Sequence, residues 1–236
     1  MAQPDHGGEL LSSGYQGVVY KIRSDSSFFA GSEFDGRLPE NQFLIVKEVM
    51  GPPLISKLRR WMIRREYEAY RRLEGVSGTP RCFGLLNGDR LLLEFIEGQP
   101  LRLSRNELVD RDEFFSALLE VILVTHRAGV AHSDLKRKEN ILVASNRKPY
   151  LIDFGSAVVR KNNDGFWNRW VFNLACQIDL NAWVKHKYLG RYDEISADDA
   201  KYFSPTLVER SARIVRRFWR RVTGRRWRKA RKQSHR

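Results

Sequence analysis

The chain is poor in cysteine and contains no long apolar run. Its 236 residues include only two cysteines, Cys82 and Cys176, far apart in the sequence. A small secreted domain held by disulfides would need more, so we expect two inert, buried thiols in a reducing, cytoplasmic compartment. The longest apolar stretch, residues 117–124, is interrupted by Glu120. A membrane-spanning helix needs about 20 apolar residues, so the sequence predicts none.

Acidic residues are nearly absent from the last part of the chain. Residues 207–236 contain 13 Lys and Arg against a single acid, Glu209, which gives a local charge of +12 out of a formal +14. Residues 1–206 therefore carry only +2. Binding to anionic surfaces is accordingly predicted for this tail rather than for the body of the chain.

Apolar residues recur at helical spacing along the tail, and arginines occupy most positions between them. The pattern predicts a basic amphipathic helix. It fits attachment to an anionic inner membrane surface, with Trp219 and Trp227 at the interface, and equally a last helix packed on the protein's own core. Nucleic acid is a third alternative, although the apolar stripe is more continuous than a phosphate-binding arm needs. The apolar positions are Leu207, Val208, Ile214, Val215, Phe218, Trp219 and Val222.

The first part of the body reads as short strands with one helix. Strand-like runs rich in β-branched residues occur at residues 17–23 and 43–49, separated by a polar insertion over residues 24–41. Two prolines then precede a helical stretch at residues 57–73. This order predicts a twisted antiparallel sheet accompanied by a single helix.

The middle of the chain changes from strands to a buried helix. Strand-like runs at residues 82–86 and 90–96 flank a hairpin turn at Asn87-Gly88 or Gly88-Asp89. Residues 112–128 are apolar almost all round, as expected for a helix at the centre of a helical lobe. A polar loop and a further hairpin follow, so the fold class is α+β.

A glycine-rich turn lies near the start of the chain, in SSGYQGVVYK. Ser12 holds its first position, Gly14 and Gly17 follow, and Val19 comes soon after. Because glycine has no side chain, backbone amides of such a turn can approach phosphate groups. Glycine pairs also occur in ordinary hairpins, so the turn alone leaves both interpretations open.

A lysine, Lys47, stands in the middle of the apolar run LIVKEV. A lysine in such a run either faces solvent or points inward and needs an anionic partner. Helical spacing places Glu66 on an apolar stripe of the helix at residues 57–73, whereas Glu68 has arginines four residues away on both sides. We therefore predict a buried Lys47–Glu66 pair that holds the lysine for binding α- and β-phosphates.

Two polar segments supply the remaining candidate residues. In HSDLKRKEN, Asp134 can accept or orient the proton of an attacking hydroxyl, Lys136 can neutralise a migrating phosphoryl group, and Asn140 offers an oxygen ligand to a hard cation. In LIDFGSA, Asp153 follows an apolar strand and can bind magnesium that bridges phosphates. Taken alone, each string also fits a plain surface loop or turn.

Taken in order, these motifs resemble the successive signatures of the protein-kinase superfamily. The resemblance covers about residues 10–185. It implies a two-lobed fold that binds ATP between the lobes, with Mg²⁺ as the accompanying metal. It also makes Leu93 the gatekeeper and assigns Glu94 to Ile96 to the hinge that receives adenine through backbone hydrogen bonds.

By the same resemblance, His132 is the structural histidine of the catalytic loop, and Asp179 in QIDLNAW is the aspartate that braces this loop. No Ala-Pro-Glu signature follows Asp-Phe-Gly, and only a short stretch separates Ser156 from Asp179. The helical lobe that normally docks peptides is therefore predicted to be mostly absent.

The catalytic loop departs from the family pattern in two ways. Asp134 and Asn140 are six positions apart instead of five. Asn140 is preferred as the metal ligand because an apolar run resumes directly after it, with Glu139 as the fallback. Ser133 replaces the usual arginine, which argues against control by a phosphorylated activation loop.

The reduced lobe resembles that of the small atypical branches, namely the lipopolysaccharide core (Kdo and heptose) kinases and the RIO-type protein kinases. The predicted architecture is an α+β, two-lobed, protein-kinase-like fold. It comprises a sheet lobe over residues 1–96, a reduced helical lobe over residues 97–206, and a basic amphipathic helix over residues 207–236.

The implied function is ATP-dependent transfer of a γ-phosphate to a hydroxyl group. A lipopolysaccharide core sugar at the inner membrane surface is the preferred acceptor, since it fits both the reduced lobe and the tail. A RIO-like protein serine/threonine kinase, including autophosphorylation, is the alternative, because Lys136 resembles the loop lysine of that class. A non-catalytic pseudokinase that binds a partner or RNA is the third. We expect a cytoplasmic protein, peripheral to the membrane if the tail anchors it.

Overall fold

A five-stranded antiparallel sheet forms the first part of the fold in the computed structural model. The structure describes residues 8–14, 17–48, 53–104, 108, 110–161 and 165–204. The predicted antiparallel sheet is confirmed, while the amphipathic helix predicted over residues 207–236 lies outside the described residues. The strands are β1 (Glu9–Gly14), β2 (Gly17–Arg23), β3 (Phe43–Glu48), β4 (Cys82–Leu86) and β5 (Arg90–Glu94), in the spatial order β1-β2-β3-β5-β4.

The two faces of this sheet have different partners, because successive residues of a strand point to opposite sides. On the outer face, Tyr20, Leu44 and Leu92 are buried in one apolar cluster. Phe29 joins this cluster and is only 2% exposed, although it lies in the insertion interpreted as polar. The insertion over residues 24–41 therefore covers the outer face and leaves the inner face to the helix and the cleft.

A tight turn joins β4 to β5. Asn87 and Gly88 both have positive φ, 53° and 75°, as a two-residue hairpin turn of the primed type requires. The first of the two predicted turns, Asn87-Gly88, is therefore confirmed. Within β4, Gly84 has φ of 144°, and a Cβ there would lie 2.8 Å from the ring of Phe34, so glycine lets the insertion pack on this strand.

Helix α1 (Pro53–Arg72) crosses the inner face of the sheet. It begins four residues before the predicted start at residue 57, because proline suits the first turn of a helix, where its missing N–H has no partner to lose. Ile63, Glu66 and Tyr70 all lie on its buried side. The predicted inward orientation of Glu66 is confirmed.

Two long helices form the centre of the second part of the fold. Helix α3 (Arg111–Arg127) is capped by the side chain of Asp110, which accepts from the backbone N–H of Glu113. Trp183 of α4 (Phe166–Lys187) donates its indole N–H to the carbonyl of Phe115 at 2.7 Å, which ties the two helices together. No helix among the described residues is long and apolar enough to cross a bilayer. The helices are α2 (Leu101–Ser104), α3 (Arg111–Arg127), α4 (Phe166–Lys187) and α5 (Ala197–Ala200).

Short strands fix the loops between these helices. The hairpin predicted after the polar loop is present as β8 (Ile141–Ala144) and β9 (Pro149–Leu151). The predicted lobe boundary after residue 96 falls in the connection between β5 and β6, and the division into lobes and tail stays a prediction. The strands are β6 (Gly98–Pro100), β7 (Val130–Ala131), β8 (Ile141–Ala144), β9 (Pro149–Leu151) and β10 (Val158–Val159), paired as β6-β8-β9 and β7-β10.

Both cysteines are free and half-buried. Burial raises the pKa of the Cys82 thiol, and likewise that of Cys176, to about 12. Since the thiolate is the reactive form of cysteine, both side chains are unreactive near neutral pH.

Candidate active site

A cleft of about 1030 Å³ lies between the inner face of the sheet and the loops that follow β7 and β9. Its lining comes from segments more than a hundred residues apart in the chain, which the fold brings to one place. A volume of this size suits a small-molecule ligand of nucleotide dimensions. Among the residues predicted to bind nucleotide or metal, the lining contains Ser12, Gly17, Val19, Lys47, Glu66, Glu94, Ile96, Asn140 and Asp153.

Lys47 lies at the centre of the cleft and pairs with two carboxylates. Strand β3 pairs Lys47 with Val19 on one side and Leu91 on the other, so the lysine faces inward from the middle of the sheet. Its Nζ lies 2.5 Å from Oε1 of Glu66 and 3.1 Å from Oδ1 of Asp153. The predicted Lys47–Glu66 pair is confirmed, and Asp153 joins it directly.

The three charges set one another's protonation. Burial alone would lower the pKa of Lys47, but Glu66 and Asp153 outweigh it and hold the pKa of the ammonium well above its usual value. Burial would raise the pKa of Asp153, yet the neighbouring Lys47 keeps that pKa below the ordinary value. For Glu66, burial raises the pKa against the opposing attraction of Lys47. Near neutral pH the cleft therefore presents an ammonium and at least the ionised carboxylate of Asp153.

The glycine-rich segment supplies the paired ends of β1 and β2. Ser12 pairs with Val19, and Gly14 pairs with Gly17 at the end of the ladder. Gly17 has φ of 141°, a conformation that favours glycine. Ser12, Gly17 and Val19 line the cleft, so the hairpin borders the space above Lys47, as the phosphate-binding interpretation requires.

The predicted hinge also borders the cleft. Leu93 is 3% exposed, and Glu94, Phe95 and Ile96 follow it along the cleft wall. The carboxylate of Glu94 accepts from the backbone N–H of Arg81 at 3.0 Å, which fixes this side chain on the neighbouring segment. Recognition of adenine by the backbone of these residues stays a prediction.

The start of the catalytic loop is held by the buried carboxylate of Asp179. This carboxylate accepts from the backbone N–H of His132 at 2.7 Å, from that of Ser133 at 2.8 Å, and from Nε2 of His126 at 3.1 Å. Ser133 has φ of 68°, which is unfavourable for a residue with a side chain. The bracing role predicted for Asp179 is confirmed by these bonds.

The His132 ring connects the two loops of the site. Nε2 of His132 donates to the carbonyl of Ile152 at 2.9 Å, and Nδ1 accepts from the backbone N–H of Asp134 at 3.4 Å. The ring also packs against Phe154, with centroids 4.7 Å apart. Beside it, the hydroxyl of Ser133, at the position of the usual arginine, is the one buried side-chain polar atom among the described residues that has no hydrogen bond.

Asp134 and Asn140 meet despite the extra residue between them. Nδ2 of Asn140 donates to the backbone carbonyl of Asp134 at 3.0 Å and lies 3.4 Å from its Oδ2. Asn140 is 3% exposed, whereas Glu139 points to Arg102 and forms an ion pair at 3.0 Å. The arrangement favours Asn140 over Glu139 as the candidate metal ligand, and that role stays a prediction.

The extra residue is absorbed in a turn at Asp134–Arg137 and a 3₁₀ turn at Lys138–Asn140. Lys136 is exposed on this loop. Arg137 lines the cleft, and its Nη1 lies 3.9 Å from Oδ2 of Asp134. Arg137 was not among the predicted site residues. No pattern marks this residue in advance, because an exposed arginine looks the same in sequence whether it borders a cleft or any other surface.

Two further residues of the site were not predicted. Lys21 lines the cleft with its Nζ 4.3 Å from the ring centroids of both Phe43 and Phe95. His186 is 3% exposed and donates through Nε2 to the carbonyl of Leu135 at 2.8 Å, directly after Asp134 in the chain. The signal for His186 was its position seven residues after Asp179 on one helix, since two turns return to the same face.

No group of three or more His, Cys, Asp or Glu side chains within the described ranges could hold a metal ion by itself. A magnesium site of the kind predicted needs fewer protein ligands, because Mg²⁺ in phosphate-transfer sites is held by one or two side chains and by substrate phosphates. Asp153, ionised at neutral pH, and Asn140, bonded to Asp134, fit this requirement.

The chain is similar to known proteins over the part that contains most of these residues. A family model described as the RIO domain matches residues 54–173, about half of the chain. A probable casein kinase I homolog of Encephalitozoon cuniculi is 31% identical over 119 residues, covering 46% of this chain and 36% of the relative. The chain thus matches about a third of that relative's length. The segment matched to the RIO domain contains Glu66, Asp134, Asn140 and Asp153.

Proposed function

Because this chain belongs to the RIO domain family, which is protein-kinase-like, we propose that it is an ATP-dependent kinase that phosphorylates serine or threonine hydroxyls of proteins. The observation that supports this most directly is the contact of Lys47 with both Glu66 and Asp153 in one cleft. An inward lysine held by two carboxylates is suited to binding phosphate oxygens. The glycine-bearing hairpin borders the same space.

The remaining residues of the loop supply the acceptor side of the reaction. Asp134 would hold the acceptor hydroxyl and take up its proton as the bond from the hydroxyl oxygen to the γ-phosphorus forms and the bond to ADP breaks. Asp179 and His186 keep the loop in place through the bonds to its backbone. Lys136 and Arg137 follow Asp134 on the same loop, and Arg137 lies 3.9 Å from its carboxylate; their positive charge would stabilise the transferring group.

Asp153 and Asn140, which line the same cleft as Lys47, would hold Mg²⁺. When bound, this ion neutralises phosphate charge and orients the phosphates for transfer. The chain's own contribution is to keep Asp153 ionised beside Lys47 and to fix Asn140 against the backbone of Asp134. Asp153 adopts a left-handed conformation, with φ of 65°, a strained geometry of the kind found at functional sites.

A protein acceptor is favoured over the sugar acceptor by the comparisons. The family is protein-kinase-like, and the curated relative is named as a casein kinase I homolog. No comparison supports a lipopolysaccharide core sugar, which stays a prediction from the sequence. The pseudokinase alternative is opposed by the presence of Lys47, Asn140 and Asp153 in one cleft, with Asp134 hydrogen-bonded to Asn140.

The test is transfer of labelled γ-phosphate by the purified full chain with Mg-ATP. The acceptors are the chain itself, a generic protein mixture and a lipid-linked core saccharide. We expect labelling of protein on serine or threonine, abolished by Asp134→Asn and retained by Asp193→Asn, an exposed aspartate away from the cleft. Exclusive labelling of the saccharide would refute the protein acceptor. Nucleotide binding without transfer to any acceptor would establish the pseudokinase alternative instead.

A further inference from the structure

The first two turns of α4 carry an exposed aromatic surface. The exposed fractions are 75% for Phe166, 74% for Trp167, 52% for Trp170 and 40% for Val171. These positions lie on one side of the helix, because residues four apart return to the same side after about one turn. We call Phe166, Trp167, Trp170 and Val171 the aromatic patch.

The aromatic patch belongs to a helix end that is fixed to the rest of the fold. The opposite face of α4 buries Phe172 and Ala175 against Ala131 of strand β7. Near the helix start, Oδ1 of Asn168 accepts from the backbone N–H of Lys161 at 2.8 Å. The helix cannot turn its exposed side inward without giving up these contacts.

The aromatic side chains contact one another in the described structure. Trp167 packs edge-to-face against Phe166, with ring centroids 5.7 Å apart, and against Trp170, with centroids 6.2 Å apart. Apolar rings left in water forgo favourable burial. Contiguous exposed apolar surface of this kind marks an interaction site in soluble proteins.

The surroundings of the aromatic patch are positively charged. Between Asp153 and Asp179 the sequence contains three cationic side chains, of Arg160, Lys161 and Arg169, and a single acid, Asp164. The three cationic residues are exposed: Arg160 and Lys161 come shortly before the helix, and Arg169 lies in its first turn, on a different side of the helix from Trp167. Residues 1–206 as a whole carry a formal charge of only +2, so these three cations form a local concentration of positive charge that favours an anionic partner.

We propose that the aromatic patch is a membrane-docking surface that inserts Phe166, Trp167 and Trp170 into the interface of an anionic lipid bilayer. Tryptophan is the side chain most characteristic of the membrane–water interface. Exposed lysine and arginine beside it attract anionic headgroups. Phe166 and Trp167 are each about three-quarters exposed, and rings this far into solvent beside cationic side chains suit the interface of an anionic bilayer.

Docking through α4 would hold the active site at the membrane surface. Helix α4 also carries Asp179 and His186, which fix the catalytic loop, and β10 just before the helix pairs with β7 at the start of that loop. Acceptors presented at the membrane would then be favoured. The docking surface goes beyond the proposed kinase function and does not depend on it.

The test is flotation of the purified full chain with two kinds of vesicle, one of phosphatidylcholine alone and one of equal parts phosphatidylcholine and phosphatidylglycerol. We expect binding to the anionic vesicles and little binding to the neutral ones. The double substitution Trp167→Ala, Trp170→Ala should weaken the partition by about tenfold or more. The matched control is Trp61→Ala, because Trp61 is also an exposed tryptophan, at 54%, but lies on α1. It should bind as the unchanged protein does.

A charge variant keeps the test independent of the aromatic substitutions. Lys161→Glu with Arg169→Glu should weaken binding to the anionic vesicles by about tenfold, whereas Lys148→Glu, an exposed lysine in the β8–β9 turn, should not. Unchanged partition in both the aromatic and the charge variants would overturn the proposal, and would assign any binding to another part of the chain. A protein that dimerises through the patch, and loses the dimer but not vesicle binding in the aromatic variant, would also overturn it.

Discussion

Lys47 contacts both carboxylates of the candidate site, that of Glu66 on α1 and that of Asp153 after β9. Replacing it with methionine keeps a similar volume but removes the ammonium that faces Glu66 and Asp153. We expect kcat/KM for phosphate transfer to fall by about a hundredfold or more, since a charge aimed at the reacting phosphates is lost. The measurement is initial-rate kinetics on the full chain, with circular dichroism to show that the variant is folded.

The control for Lys47→Met is Lys148→Met, at an exposed lysine outside the cleft. It should leave kcat/KM unchanged. If Lys47→Met also keeps the original kcat/KM, the phosphate-binding role of this lysine is wrong, whatever its structural role.

The two cysteines give a second prediction at the scale of single residues. Burial raises the pKa of Cys82 and Cys176 to about 12, so the reactive thiolate is scarce near neutral pH. We expect slow reaction of the native protein with a thiol-specific disulfide reagent, and rapid reaction of both thiols after unfolding in denaturant. Rapid labelling of the native chain would contradict the prediction, because it would show that a thiol is ionised near neutral pH in spite of its burial.

Single residues differ in how well the sequence reveals them. The Lys47–Glu66 pair could be predicted because each residue is a lone charge in an apolar pattern. A charge buried inside a protein needs a partner of opposite sign. Arg137 could not be predicted, because an exposed arginine has no pattern that separates a cleft from any other surface. Only the fold brings Arg137 to 3.9 Å from Asp134.

At the scale of elements, α4 supports the catalytic loop through Asp179. This side chain is fully buried and accepts three hydrogen bonds from the loop and from His126. Asp179→Ala leaves buried backbone N–H groups without acceptors, so we expect a loss of about 3 kcal/mol in the free energy of unfolding. The measurement is denaturant unfolding, with Asp198→Ala, at an exposed position, as the matched control. A loss as small as that of the control would contradict the bracing role.

Helix α5 is tied to the end of α4 by Asp199. Burial would raise the pKa of this carboxyl, but hydrogen bonds from Lys187 and Tyr188, each 2.6 Å long, lower it below the ordinary value. A carboxyl with a lowered folded-state pKa stabilises the protein above the unfolded-state value of about 3.9 and loses this contribution as the pH falls through the folded-state pKa.

The pH dependence of this tie can be measured with Asp199→Asn. We expect the variant to be less stable than the unchanged protein at neutral pH, and the difference to shrink once the pH falls below about 4. Denaturant unfolding at a series of pH values gives the comparison. A difference that stays constant down to acid pH would show that the charge of Asp199 does not contribute.

Elements with strong periodicity were predictable, and their ends were less so. Helix α3 lies within one residue of its predicted span because a pattern that is apolar almost all round and the Asp110 cap define it. Helix α1 begins earlier than predicted because Pro53 opens the helix instead of preceding it. The insertion over residues 24–41 was misjudged because its phenylalanines stand among polar residues and glycines, and burial of Phe29 depends on the sheet it covers.

At the scale of the whole molecule, the convergence of remote motifs could be predicted only through the family resemblance. No periodicity in the sequence says that Asp153 will lie 3.1 Å from Lys47. The order of the motifs predicts this contact, because it resembles the order found in a family of known fold. The aromatic patch on α4 lies outside those motifs, and a helix pattern alone does not show which of its apolar faces remains uncovered.

The cleft is lined by both parts of the fold, so a ligand bound there should stabilise the whole molecule. A ligand that binds only the folded state at about 100 times its Kd adds about 2.7 kcal/mol, which corresponds to roughly 5–10 °C in Tm for a chain of this size. We expect Mg-ATP to raise Tm by that order, and ATP with a chelator to raise it less. Asp153→Asn should remove the magnesium-dependent part, because the ionised carboxylate beside Lys47 is lost, while Asp193→Asn should keep it. An equal magnesium effect in the Asp153 variant would show that this carboxylate does not hold the ion.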